Sequence, residues 1–143
     1  MKICYVFRKR LEGRFSIENI FENISSSVSM ADCSVEKIYH EQSIFRTIRD
    51  IRRTNAEVIH ITGDVHYLAL FLPRNKTILT IHDIASYSNK KKTFKSYIYL
   101  LIWFLLPIYY LKKITVVSDL TKNNLLKYTR VNTDKIHVIS NPL

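Results

Sequence analysis

A histidine and an aspartate, His82 and Asp83, stand together just where the apolar run of KTILTIHDIASY (Lys76 to Tyr87) stops. The pair joins an imidazole that titrates near neutrality to a carboxylate that can orient a ring or accept hydrogen bonds. Two readings are open. Either a core strand delivers both groups to a site at its end, or Asp83 caps a turn and His82 is a satisfied core histidine. His60 and His66 are also close in sequence, one within a strand pattern and one beyond it, and do not form an obvious metal-ligand pair. Ser118 precedes a helical pattern, where a hydroxyl serves as a cap more readily than as a nucleophile. A basic stretch, Arg8 to Arg14, holds Gly13.

Several chemistries lack their motifs. The sequence contains no GxGxxG, no GxxxxGK[ST], no GxSxG and no HExxH. Neither a zinc finger nor an aromatic RNA-binding motif occurs, so a specific nucleic-acid partner is not expected. Cys4 and Cys33 are the only cysteines and form no CxxC. Cys4 lies in an apolar run and reads as a small buried hydrophobe.

The elements that must position these residues follow from periodicity. Short apolar runs predict strands at Lys2 to Phe7, Val35 to Tyr39, Glu57 to Thr62, Thr77 to His82, Ile114 to Val117 and Ile136 to Ile139. Between them, Ile17, Ile20, Phe21 and Ile24 recur at helical spacing behind Ser16. Ser43 to Arg53 sets Ile44, Ile48 and Ile51 on one face. A short apolar helix is expected from His66 to Leu72, stopped by Pro73. Another runs from Asp119 to Tyr128, with Leu120, Leu125 and Leu126 facing inward. Strands alternating with helices predict a single α/β domain, a Rossmann-like parallel sheet with helices on both faces. Such sheets bind ligands beyond the carboxyl ends of their strands, which is where His82 and Asp83 fall.

The chain has 143 residues and a formal charge of +10, from 22 Lys and Arg against 12 Asp and Glu. That balance attracts phosphates, nucleic acid or anionic lipid, or else is spread over a solvated surface. The N-terminus, MKICYVFRKR, is too short in apolar residues for a signal peptide, and a cytoplasmic location is expected.

Five pieces, in order, resemble the N-terminal half of a GT-B glycosyltransferase of the family 4 type. They are KICYVF with the Gly13 loop and SIENIF; EVIHITGDVHYLALFL, Glu57 to Leu72; TILTIHDIASY, with T-x-H-D at Thr80 to Asp83; KKITVVSDLTKNNLLKY, Lys112 to Tyr128; and DKIHVISNPL, Asp134 to Leu143. The resemblance covers nearly the whole chain. It implies two Rossmann-like domains flanking a cleft, of which residues 1–143 are the acceptor-side one. The C-terminal donor-binding domain would be absent, and the chain inactive alone. It implies retaining transfer of a sugar from a nucleotide-sugar donor to a glycan or lipid-linked acceptor. No metal, cofactor or protein nucleophile is implied.

The resemblance also assigns roles. His82 matches the histidine that contacts the transferred sugar, and Asp83 would orient that ring or bind an acceptor hydroxyl. Gly13 would let backbone N–H groups approach a phosphate, or is an ordinary turn glycine. Arg14, with Arg8, Lys9 and Arg10, would neutralise a diphosphate or an anionic acceptor, or belongs to a solvated loop. His66 would line the same edge, and Ser118, opening the helix after the fifth strand, would join it, Gly13 and Arg14 in binding substrate. The alternative is a non-enzymatic, membrane-associated binding module that pairs with a separate donor-domain chain.

Tyr97 to Leu111 (YIYLLIWFLLPIYYL) carries no charge. As a helix it spans about 22 Å, short of a bilayer core of about 30 Å, and Pro107 interrupts it. It is either a buried helix or one lying partly in an anionic membrane interface, helped by Lys90, Lys91, Lys92 and Lys95.

Overall fold

The computed structural model describes residues 1–9, 16–29, 32–41, 43–84 and 93–140. Gly13, Arg14 and the lysines at 90–92 therefore lie outside the described residues.

Six strands form one sheet: β1 (Lys2–Arg8), β2 (Ser34–His40), β3 (Val58–Ile61), β4 (Thr77–Ile81), β5 (Lys113–Val116) and β6 (Ile136–Val138). Their order is β2-β1-β3-β4-β5-β6, and every neighbouring pair is parallel. The step from β1 out to β2 runs opposite to every later step. Right-handed crossovers therefore put the first helix on one face and all later ones on the other. The packing follows suit. Helix α1 (Ser16–Ser29) lays Ile17, Ile20, Phe21, Ile24 and Val28 against Ile3, Tyr5 and Phe7.

The opposite face of the sheet presents Cys4, Val6, Ile59, Ile61, Leu79, Ile81, Ile114 and Val116 to the larger core. Helix α2 (Ile44–Arg53) and the 3₁₀ segment His66–Phe71 cover it, together with two later helices. Ser43 caps α2, accepting from the backbone N–H of Arg46. Cys4 is fully buried, and that burial pushes its thiol up to about 11, as an inert core residue requires.

The long apolar segment folds as one helix, α3, with a change of pitch. An α-helical part, Phe94–Leu100, leads into a π-helical turn, Leu101–Leu105, and then into Leu106–Tyr110. Within the wide turn the N–H of Leu106 bonds to the carbonyl of Leu101. Pro107 follows at once. Its ring would crowd the carbonyl four residues earlier in a regular helix, and the widened turn accommodates it. Thr93 and Ser96 close a capping box at the start of α3. No helix among the described residues is long and apolar enough to cross a membrane.

Helix α4 (Asp119–Tyr128) corrects one expectation. Leu125 is buried and Leu126 packs against the core, but Leu120 is 70% exposed. Thr121, not Leu120, occupies the inward position of the first turn, and its hydroxyl donates to the carbonyl of His82 at 3.4 Å.

Candidate functional site

The parallel register brings the carboxyl ends of β1, β3 and β4 to one edge. Val6 pairs with Ile61, and Ile61 with Leu79. Two residues further on, Arg8 ends β1 beside Gly63. A Cβ built on Gly63 would meet the Arg8 backbone nitrogen at 3.1 Å, so the missing side chain is what lets the two chain segments approach this closely. A cleft of about 150 Å³ opens there, lined by Arg8, Gly63, Asp64, His66, His82 and Asp83, with Ile17 of α1.

His82 follows β4 immediately. Its Nε2 lies 2.9 Å from the carbonyl oxygen of Thr62, which can only accept. Nε2 therefore carries the proton, and in the neutral ring Nδ1 keeps the lone pair. Phe21 of α1 meets the imidazole edge-on, ring centres 5.9 Å apart. Burial lowers the pKa of His82. The Thr62 hydrogen bond opposes that shift, the Arg8 charge adds to it and the Glu18 charge opposes it.

Arg8 and Glu18 form a compact pair, Nε to Oε1 at 2.9 Å, with the Glu18 side chain nearly sealed from solvent. Glu18 Oε2 is buried without a hydrogen-bond partner. His66, only 4% exposed, packs edge-on against Phe104 of α3 at 5.0 Å. Burial lowers its pKa to about 4, against a hydrogen bond with the Trp103 backbone that raises it, while the His82 charge lowers it further. Its Nδ1 is the second buried polar atom with no partner. Glu18 Oε2 accepts only, and a neutral His66 offers one ring lone pair, so both unmatched atoms are acceptors, and both are sealed from solvent.

His60 lies on the other face of the sheet. It meets Tyr5 and Phe21, and its Nε2 lies 2.7 Å from the Thr80 hydroxyl, itself 2.6 Å from that of Thr115. Burial lowers its pKa to about 4, with the His82 charge adding to the shift. The sheet thus separates His60 from His66. Among the described residues no group of three or more His, Cys, Asp or Glu is placed to hold a metal ion.

Of the residues singled out in the sequence, the structure brings His82, Asp83 and His66 together in the cleft. Ser118 caps α4, accepting from the N–H of Thr121 at 3.1 Å, and lies outside the cleft lining. Gly13 and Arg14 fall outside the described residues. Sequence reasoning passed over Glu18, Gly63 and Asp64. The Gly-Asp step after EVIHIT, at a strand's carboxyl end, was the signal for two of them. A larger hollow, about 460 Å³, lies between α2 and Phe71, but it is lined by apolar side chains and arginines, with no histidine or carboxylate to do chemistry.

The family model for glycosyltransferase family 4 matches residues 33–143, covering β2 through β6 and with them His66, Asp83 and His82. The chain belongs to glycosyltransferase family 4. The six-stranded parallel sheet of this family 4 domain has the Rossmann-like form of half a GT-B fold. No curated protein and no solved structure matches the family 4 chain in the corresponding searches.

Proposed function

We propose that this domain is the acceptor-binding half of a retaining glycosyltransferase of the cytoplasm. It would hold a glycan or lipid-linked acceptor while a nucleotide sugar, bound by a second domain or a separate chain, gives up its sugar. Assembly of a surface polysaccharide or glycolipid is the corresponding setting. On this reading the residues described here bind and orient, and no protein nucleophile or metal takes part.

One observation carries the reading: the His82 ring, committed through Nε2 to the Thr62 carbonyl, keeps its other nitrogen as an acceptor at the cleft. A lowered pKa holds that ring neutral near pH 7, so it takes a hydrogen bond from a hydroxyl without adding a fixed charge. His66 lines the same cleft, but its Nδ1 is sealed from solvent, so His82 supplies the acceptor. The Arg8 charge is already engaged by Glu18, which weakens the case for a phosphate at this edge and favours a neutral, hydroxyl-rich molecule.

Saturation-transfer NMR against a panel of neutral and anionic oligosaccharides tests the proposal. Binding is expected for a neutral saccharide and should weaken by about tenfold or more in His82→Ala, the loss of one well-placed hydrogen bond in a desolvated site. Residues 1–143 alone should not turn over a nucleotide sugar. Turnover by this chain, or saccharide binding indifferent to His82→Ala, refutes the reading.

A further inference from the structure

Helix α3 divides sharply into two faces. Its inner side chains, among them Tyr99, Trp103, Phe104 and Ile108, pack on the core and on the 3₁₀ segment. Its outer side exposes Phe94, Tyr97, Ile98, Leu101, Ile102 and Leu106, with Tyr109 at the far end. The π turn keeps that stripe continuous. It lengthens one step so that Leu106, rather than Leu105, follows Leu101 on the outside. The stripe is about 25 Å long at the usual helical rise, and Lys95 is the only charged residue between Phe94 and Leu111.

Both ends of the stripe are basic. Lys95 stands exposed at the first turn. Beyond Tyr109, a shallow basin gathers Arg74, Lys112, Lys113 and Lys135 around one acid, Asp134. Lys135 sits 5.9 Å over the Tyr109 ring, and its ammonium bonds the carbonyls of Ile108 and Leu111. In the same helical layer Phe45 and Phe71 are exposed beside Arg49, Arg52 and Arg53.

We infer that the outer face of α3 docks in the plane of an anionic lipid surface, its apolar stripe entering the headgroup boundary and its basic ends meeting lipid charge. The arrangement is that of an interfacial helix: apolar along one side, aromatic and cationic where the side meets water. A second copy of the chain fits worse. Pairing two stripes antiparallel would set Lys95 of one copy against the basic basin of the other, with a formal +10 on each. The inner face of the same helix is tied to the cleft, since Trp103 Nε1 donates to the carbonyl of Asp64 at 3.3 Å. Docking would therefore hold the cleft at a fixed attitude to the surface. The inference stands apart from the transferase reading and survives if that reading fails.

Vesicle co-sedimentation of the whole chain tests it, with phosphatidylcholine alone and with roughly a quarter phosphatidylglycerol added, at low salt and at about 0.5 M salt. The chain is expected to pellet with anionic vesicles at low salt, and more weakly with neutral ones or at high salt. Leu101→Gln with Leu106→Gln should reduce binding about tenfold or more, and Lys112→Gln with Lys113→Gln should abolish most of the preference for anionic lipid. Should the first variant lose its helical circular dichroism, the second carries the test alone. Absence of binding, binding indifferent to lipid charge, or binding untouched by a folded face variant overturns the inference. So does a dimer, seen by light scattering, that the face substitutions split.

Discussion

His82, His66 and Arg8 show how little of a side chain's chemistry its identity settles. His82 is usable because the Thr62 carbonyl fixes its tautomer. His66 is held in the core with one nitrogen unmatched. Arg8, one of the basic residues that the sequence offered to an anion beside Arg14, is engaged by Glu18. Gly63 is the quiet partner of Arg8, because its missing Cβ lets the ends of β1 and β3 meet. Gly63→Ala must push the Arg8 backbone aside, an overpacking cost of about 1–2 kcal/mol, and should loosen the Arg8–Glu18 pair with it. A urea midpoint unchanged from wild type would show that the loop yields without strain.

Among the elements, α3 carries the clearest contrast. Phe104 is buried against His66, whereas Leu106, two positions on, is 41% exposed. Phe104→Ala should cost about 3–5 kcal/mol by leaving a cavity. That is a large part of the stability of about 5–15 kcal/mol expected of such a domain. Leu106→Gln should stay within about 1 kcal/mol, since it removes no core contact. Denaturant unfolding of the two variants side by side checks this. Equal losses would mean that the outer face is covered in solution. The same contrast explains the error at α4. Leu120 has the apolarity of an inward residue, yet the cap at Ser118 turns Thr121 toward the end of β4 and Leu120 toward solvent.

For the whole molecule, the buried histidines should make stability sensitive to acid. The pKa values of His60 and His66 fall to about 4 in the fold, from an unfolded value near 6.5. Between those values the unfolded chain binds protons that the folded chain refuses, so stability is complete above about pH 6.5 and is lost as pH falls toward 4. For His66, fully enclosed, the loss is on the order of 3 kcal/mol across that window. His66→Leu should reduce the pH dependence of the urea midpoint between pH 6.5 and 4, leaving the share that His60 contributes. An unaltered pH slope would place the acid sensitivity elsewhere.

What the sequence determined by itself was periodic and local. Six strands, the inward isoleucines of α2 and the position of His82 at a strand's end all follow from the spacing of apolar residues along a few turns or pleats. Strand alternation then constrained the sheet to be parallel, because short crossovers leave few other solutions. Only the tertiary structure decided which polar atoms lack partners, that Glu18 engages Arg8, that His60 and His66 lie on opposite faces, and that α3 buries one side and bares the other. Those outcomes depend on residues tens of positions apart arriving at the same place. A hydrogen bond between Thr62 and His82, or an aromatic contact between His66 and Phe104, has no periodic signature in the chain.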